Sequence, residues 1–488
     1  MTSDAQDTWD VIVVGGGAAG ENAAQYAAMG GLRVALVEAE LLGGECSYWA
    51  CMPSKALLRP VELMAAGRAM AGVEQALAGR SLHLEAVLAR RDRFTHGRDD
   101  GGQVEWAAGA GLELLRGEAR LDGERTVVLA PAGGDGGARR LRARHAIVLA
   151  TGTSAAIPPV EGLAGAHPWT SRDVTNLTAV PERVLVIGGG VVACEAATWL
   201  VGLGAQVTIV EVGPALLARD EPFAGELVAE RFREAGVDVR LGASIDSVRR
   251  DGAADTGAGV PRGVPATIVI DGEAITVDEI VVAAGRRPRT DDLGLETVGL
   301  EAGGYLDTDD HLAVRGVGGD WLYAVGDVTG RALLTHMGKY HGRVCGDVIA
   351  ARAQGRPPDG SRHRAIADHG RIPQVTFTDP EVASVGLTAQ EAREQHAHVE
   401  TVDYDIAAVA GASLLRDDYA GQARLVIDAD RDVLLGATFA GHGVAELLHS
   451  ATVAVVGEVP LDVLWHAVPS YPTASEVWLR LLEARRNR

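Results

Sequence analysis

A glycine-rich turn between a buried strand and a helix, used twice in one chain, leaves few folds open. The first copy is WDVIVVGGGAAGENAAQYAAMGGLRVALVEAE. Its apolar run Val11 to Val14 predicts a buried parallel strand. A helix from about Ala19 to Met29 follows a G-x-G-x-x-G turn formed by Gly15, Gly17 and Gly20, and a second strand, Arg33 to Val37, ends at Glu38. Glycines let the backbone turn tightly and approach a pyrophosphate, the helix N-terminus favours its charge, and the acid can bind a ribose diol. The second copy, RVLVIGGGVVACEAATWLVGLGAQVTIVEVG, holds Gly188 and Gly190 in the first two places, Ala193 in the third, and Glu211 at the end of its second strand. A single such turn also suits an ordinary strand-helix junction. The complete βαβ setting, with an acid about twenty residues on, is that of a dinucleotide site. One chain with two of these units binds two dinucleotides, or one very asymmetric pair.

The remaining segments fit around the two units. AIVLATGTSAAIPPVEGL (146–163), with Thr151 and Gly152, closes a strand with a small-residue turn, as does EIVVAAGRRPRT (279–290), with Gly285 and Arg286. Both read as crossovers between domains. LYAVGDVTG (322–330) ends a strand in Gly326 and Asp327, well placed for a second polyol, and the helix beginning near Leu334 points its positive end at the same ligand. Gly-rich stretches at 131–138 and 251–263 are expected as surface hairpin loops, and 351–364 as a linker.

At 488 residues the chain is too long for one core and suggests roughly three domains of about 150 residues each. Hydrophobic content of 47% with helix-like and strand-like periods predicts a soluble, globular protein. No apolar run reaches the ~18 residues of a membrane span, and MTSDAQDTWD lacks the regions of a signal peptide, so the cytoplasm is the expected compartment. A formal charge of -21 argues against a nucleic-acid or anionic-membrane partner. Of the 45 basic residues only Lys55 and Lys339 are lysine, which alongside abundant Ala and Gly reads as a GC-rich coding bias.

Cysteines are equally sparse. Cys194 and Cys345 stand alone on apolar helical stretches and are expected to be buried, whereas Cys46 and Cys51 share GGECSYWACMPSK with Lys55. Together with both Gly-rich turns and Asp327, this stretch resembles the FAD-dependent pyridine nucleotide-disulfide oxidoreductases of class I, such as dihydrolipoamide dehydrogenase, glutathione reductase and mercuric reductase. It is similar to the family's GGxCxxxGCxPSK, with Ala50 in place of the glycine. TFTDPEVASVGLTAQEA (376–392) resembles the opening of the family's dimerisation domain and YPTASE (471–476) its closing HPTxxE, so the likeness covers almost the whole chain.

The resemblance implies two doubly wound, Rossmann-like α/β domains, for FAD and NAD(P)H, plus an α+β C-terminal dimerisation domain. Expected bounds are 1–155 for FAD, 156–284 for NAD(P)H, 285–350 for a return segment completing the FAD domain, and 351–488 for dimerisation. Expected cofactor contacts are Gly15, Gly17, Gly20, Glu38, Lys55, Thr151, Gly152, Gly188, Gly190, Ala193, Glu211, Gly285, Arg286, Gly326, Asp327, Leu334, Thr335 and His336. In such enzymes a nicotinamide hydride reduces the flavin, and the electrons pass to a disulfide against its other face. Cys51 is then the flavin-side sulfur, Cys46 the exchanging one, and Lys55 pairs with Glu195. Thiolates are the working species, so a low pKa and access matter at Cys46. No metal is implied: a zinc site would lack its second close Cys or His pair, and an inert structural disulfide is disfavoured in the cytoplasm.

The chain also departs from the pattern. Disulfide reductases of the family use the histidine of HPTxxE, held by its glutamate, as partner to the exchanging thiol; here that position is Tyr471, and Glu476 stands without it. Tyrosine, with a pKa of about 10 against about 6.5 for histidine, is a poor thiol base near pH 7, at a cost of roughly 4 kcal/mol. His466 could refill the place only if its loop rearranges. Mercuric reductases also carry tyrosine in this region, but they typically add a C-terminal cysteine pair, and this chain ends RLLEARRNR. Tyr48 and Trp49, between the cysteines, either line an aromatic acceptor site or pack against the helix after Lys55. Glu211, with Val212 and Gly213 next, repels a 2′-phosphate and favours NADH, while Ala193 resembles NADPH-using members, so NADPH stays possible.

The leading expectation is an NAD(P)H-dependent FAD oxidoreductase passing electrons through a Cys46–Cys51 disulfide to a small-molecule acceptor other than lipoamide or glutathione. It is expected as a homodimer whose C-terminal segment, with Tyr471 and Glu476, completes the partner's active site. The alternatives are an NAD(P)H:quinone reductase with direct flavin-to-acceptor transfer, a mercuric-reductase-like metal reductase, and a slow-turnover flavin redox sensor.

Overall fold

The computed structural model describes residues 7–131 and 137–487. Most of the Gly-rich stretch at 131–138 and the opening MTSDAQ lie outside the described residues. Spatial grouping divides the chain into two compact units. The first comprises 1–52, 92–154 and 286–368, and the second 53–91, 155–285 and 369–488.

The first unit is built on a parallel sheet in which strand Thr8–Val14 lies between Val34–Glu38 and the second half of Arg139–Leu149. Leu322–Ala324 adds on beyond Arg139–Leu149, and Glu113–Leu121 beyond Val34–Glu38. The far ends of Glu113–Leu121 and Arg139–Leu149 turn away to sandwich Thr126–Pro131 in an antiparallel layer. Because alternate side chains of a strand face opposite ways, the apolar run divides between two cores. Val11 and Val13 pack with helices Ala18–Met29 and Thr335–Ala353, while Ile12 and Val14 pack with Leu121, Val127 and Leu141. The two helices lie against each other along Gly338, Gly342 and Gly346. A Cβ at Gly342 would stand 2.4 Å from Ala19 O, and one at Gly346 2.6 Å from Tyr26 Cβ.

In the second unit a parallel sheet runs Glu279–Val282, Arg183–Ile187, Gln206–Glu211, Asp238–Leu241, beside an antiparallel sheet of Ile245–Arg249, Ala266–Ile270 and Glu273–Val277. A five-stranded antiparallel sheet follows in the order Pro373–Thr376, Glu381–Gly386, Val433–Gly441, Gln422–Asp428, Val399–Asp405. Helices Leu448–Val456 and Val477–Arg486 supply side chains to the core on one of its faces. Segment 53–91 belongs to this unit because Leu57, Leu58, Val61 and Val87 share a core with Trp199 and Leu200.

Two local expectations are refined by the fold. The 251–263 segment does join two antiparallel strands, but it is anchored rather than a simple surface loop. Arg262 is buried and donates to His167 O at 2.8 Å, and Thr178 N donates to Gly259 O at 2.9 Å. Cys194 and Cys345 are fully buried, as expected, and burial pushes both thiols well above their usual range.

Candidate active site

The first Gly-rich turn of the first unit is fixed by backbone sterics. Gly15 has φ +104, and a Cβ there would lie 2.4 Å from Ala150 O; a Cβ on Gly20 would lie 1.9 Å from Gly15 O. Only glycine fits either place. Gly17 is the N-cap of helix Ala18–Met29 and keeps its space open, with nothing nearer than Gly44 Cα at 3.9 Å. At the end of the second strand Glu38 accepts from Gly16 N and Glu40 N, both at 2.7 Å.

The cysteine stretch is clamped onto this turn. Gly43 N donates to Gly16 O at 2.8 Å, and a Cβ at Gly44 would sit 2.8 Å from Gly17 Cα. The glycine pair ahead of Cys46 therefore seats the cysteine segment against the first Gly-rich turn. Cys46 lies on the short helix Gly44–Tyr48, and Cys51 opens helix Cys51–Arg68.

Cys46 and Cys51 are both thiols, half-buried and in hydrogen-bond contact with each other. Cys51 Sγ is 3.2 Å from Thr335 Oγ1, in the first turn of the 19-residue helix Thr335–Ala353. The helix dipole and this hydroxyl both favour a thiolate. Against them, the neighbouring thiol and burial push the Cys46 thiol up, opposed by the Thr335 hydroxyl and the charge of Lys339.

Asp327 lies in the turn before that helix. It accepts from Thr153 Oγ1 at 2.9 Å, and Arg286 Nε donates to the same hydroxyl at 2.5 Å. Burial raises the Asp327 pKa despite these partners. Thr151 Oγ1 donates to Arg289 O at 2.9 Å, and Arg289 N to Gly152 O at 3.0 Å, so the two crossover turns brace one another. Gly326 adopts φ +73, Gly285 adopts φ +133, and Leu334 caps the helix in extended conformation. His336 is exposed.

A cavity of about 520 Å³ opens beside the cysteine segment, lined by Ser47, Tyr48, Met52, Phe94, His96, Asp99, Gly102 and Gln103. Tyr48 borders it with a largely buried ring whose hydroxyl donates to Leu42 O at 2.9 Å; burial pushes that phenol up to about 12. Trp49 instead lies under the Arg98 guanidinium, 5.2 Å from the ring centroid. Of the aromatic pair, then, one lines the cavity and the other stacks beneath a cation.

The second unit repeats the turn. Gly188 has φ +112, and a Cβ there would come within 2.6 Å of Ala283 O. Gly190 caps helix Val191–Gly202, and Ala193 is buried within it. Glu211 accepts from Gly189 N at 2.5 Å and Gly213 N at 2.6 Å, the same job that Glu38 does in the first turn. Lys55 and Glu195 are brought together, Nζ to Oε2 at 2.7 Å, and Glu195 Oε1 also accepts from Phe377 N at 3.1 Å. The Lys55 ammonium sits 5.0 Å over the Phe377 ring.

In the same unit Tyr471 and Glu476 are not hydrogen-bonded to each other. Tyr471 is 75% exposed, next to a cis bond to Pro472, and His466 is exposed as well. Glu476 is buried; Arg480 holds its Oε1 at 2.9 Å, while its Oε2 has no hydrogen-bond partner among the described residues. Sequence reasoning missed Thr153, Gln103, Phe377 and Glu21. Burial pushes the Glu21 carboxyl up to about 7, although Lys339 and Gln103 act to lower it. Among the described residues no group of side chains is arranged to hold a metal ion, and no helix is long and apolar enough to cross a membrane.

Two glycine cradles, each ending in an acid bound to backbone amides, and a dithiol seated on one of them define a dinucleotide-dependent dithiol enzyme. The family model for pyridine nucleotide-disulphide oxidoreductases matches residues 9–355, and that for their dimerisation domain matches 372–482. The chain belongs to this family. A dihydrolipoyl dehydrogenase of Chlorobaculum tepidum is 32% identical over 96% of this chain and 95% of its own. A glutathione reductase of Burkholderia cepacia is 30% identical over 98% and 99%. The HOCl-induced flavoprotein disulfide reductase RclA from Escherichia coli, solved as a Cu(II) complex, shares the fold at a TM-score of 0.81 and 22% identity, covering 98% of this chain and 99% of that one.

The protein is therefore an FAD-dependent NAD(P)H oxidoreductase, and its dimerisation domain supports a homodimer. The open cradle at Gly17 and the half-buried Asp327 carboxylate suit the pyrophosphate and a polyol of FAD.

Proposed function

We propose that this enzyme passes electrons from NAD(P)H through the Cys46–Cys51 pair to a small-molecule acceptor that is neither lipoamide nor glutathione. The observation that carries this reading is the thiol pair itself, in mutual contact at the first turn of helix Thr335–Ala353. Bound FAD supplies the two-electron carrier between nicotinamide and disulfide. Cys51, beside Thr335 and the helix N-terminus, is the sulfur held as thiolate, and Cys46 is the sulfur that exchanges with the acceptor. The acceptor enters by the cavity between Ser47 and Met52, whose aromatic and thioether lining suits a ring-sized or apolar molecule. Lys55 and Glu195 form the ion pair that positions the nicotinamide side of the reaction. Glu211 makes NADH the preferred donor. Tyr471 supports the exclusion of lipoamide and glutathione, because a phenol is a poor base for a thiol.

Anaerobic titration of the purified yellow enzyme with NADH tests the proposal. Uptake of four electrons per flavin, with a long-wavelength thiolate-to-flavin band, is expected; Cys51→Ser should abolish the band, and Cys46→Ser should keep it while losing thiol exchange. Two-electron uptake without the band would sink the disulfide route and leave direct quinone reduction as the better account.

A further inference from the structure

Glu195 is buried on helix Val191–Gly202, which Gly190 caps at the second Gly-rich turn. A carboxylate in such a place must have its charge and lone pairs answered. Two segments answer it. Lys55 Nζ reaches Oε2 at 2.7 Å, and the backbone N–H of Phe377 donates to Oε1 at 3.1 Å. Phe377 also meets the other member of the pair, because the Lys55 ammonium stands 5.0 Å from the centroid of its ring. One residue thus holds the carboxylate with its amide and the ammonium with its ring. A lysine stem is flexible, and the face of an aromatic ring attracts the cation at its end, so the ring narrows the places that the ammonium occupies. Phe377 in turn packs against the core that contains Leu57, Leu58 and Trp199.

We propose that Phe377 is a positioning residue for the reductive half-reaction, its ring holding the Lys55 ammonium against Glu195 in the place where the pair serves nicotinamide. This rests on the reading of Lys55 and Glu195 as the ion pair of the nicotinamide side. The half-reaction is balanced by one hydride, carrying two electrons, that leaves NADH as NAD+ and reduces bound FAD. Phe377 takes no part in that transfer and acts through Lys55. It follows strand Pro373–Thr376, at one edge of the five-stranded sheet, and falls within residues 372–482, matched by the dimerisation-domain model. That domain therefore contributes to electron entry from nicotinamide, through a residue just past its first strand. Only the ring is a choice of the sequence, since any residue at 377 except proline keeps the amide bond to Glu195. Leucine there fills apolar space but offers the ammonium no ring face, whereas tyrosine keeps one.

Two measurements on the holoenzyme test this. Anaerobic stopped-flow mixing with NADH reads the limiting rate of flavin reduction. Phe377→Leu should slow it about fivefold, with little change in the NADH concentration that gives half the limiting rate, while Phe377→Tyr stays near wild type. In a Lys55→Met background Phe377→Leu should add nothing, because the ring acts through the ammonium. The second measurement does not depend on turnover. Lys55 and Lys339 are the only lysines, so selective carbon-13 labelling of lysine gives side-chain signals from these two alone, assigned with Lys339→Arg. The Lys55 ε-methylene protons should lie upfield under the ring, move downfield in Phe377→Leu and hold their place in Phe377→Tyr. Equal slowing by Phe377→Leu with and without Lys55 overturns the proposal, since the ring then acts as core packing alone. A wild-type rate in Phe377→Leu beside a slow Lys55→Met overturns it as well. Lys55→Met as fast as wild type overturns the role of the ion pair, and this inference with it.

Discussion

Glu38 and Glu211 sit at equivalent points of the doubled unit, and each accepts from two backbone amides of its own turn. The carboxylate is thus oriented before any ribose arrives, and a 2′-phosphate would meet a fixed negative charge. Wild-type enzyme should show a higher kcat/KM with NADH than with NADPH, and Glu211→Arg should narrow or invert that ratio while also losing the amide bonds. A strong wild-type preference for NADPH in steady-state assays would refute the reading. Glu21 gives a stability prediction of opposite character. Its folded pKa of about 7 lies above the unfolded value near 4.5, so the folded state holds the proton more tightly. Its stabilising contribution is complete below about pH 4.5 and is lost as pH rises to 7, at most about 3 kcal/mol. Glu21→Gln should remove that slope, leaving the variant more stable than wild type at pH 8 and little changed at pH 5 in urea melts of the holoenzyme.

The elements most legible in the sequence are those whose backbone demands a residue type. Gly15 and Gly188 need a left-handed φ, Gly20 and Gly44 need the absence of a Cβ, and each leaves a glycine at a fixed offset from an apolar run. Thr153 beneath Asp327, Gln103 on Glu21 and Phe377 at Glu195 leave no such mark, because they meet across long sequence separations. Packing between Ala18–Met29 and Thr335–Ala353 belongs to the first kind, since Gly342 places its Cα where any side chain would strike the Ala19 carbonyl. Gly342→Ala should therefore destabilise by about 1–3 kcal/mol through overpacking. Gly109→Ala, at a helical glycine with nothing within 4 Å, should be neutral or slightly stabilising when both variants are compared with wild type in urea melts.

At the scale of the whole molecule, the dimerisation domain supports a homodimer; in the dimer that the family resemblance implies, the C-terminal segment of one chain would meet the thiols of the other, with Tyr471 in the place of the family's histidine. Ionising a phenol at pH 7 costs roughly 4 kcal/mol, so dihydrolipoamide oxidation should be slow and rise toward alkaline pH as the substrate thiols ionise themselves. Glu476 is already in place for another partner, with Oε1 held by Arg480 and Oε2 buried without a hydrogen bond among the described residues. In the family's HPTxxE pattern the glutamate holds the histidine, and a carboxylate so bonded keeps the ring oriented as a base. Tyr471→His should accordingly raise dihydrolipoamide turnover relative to quinone turnover, the latter needing no thiol base, and flatten the pH profile near 7. The gain is bounded by whether the cavity between Ser47 and Met52 admits the dithiolane chain past Tyr48. Wild-type enzyme that already oxidises dihydrolipoamide as fast as it reduces quinones, with a flat profile near pH 7, would mean that another base is at work. The exposed His466 is the first residue to replace in that event, and the separation of this enzyme from the ordinary disulfide reductases would fall with it.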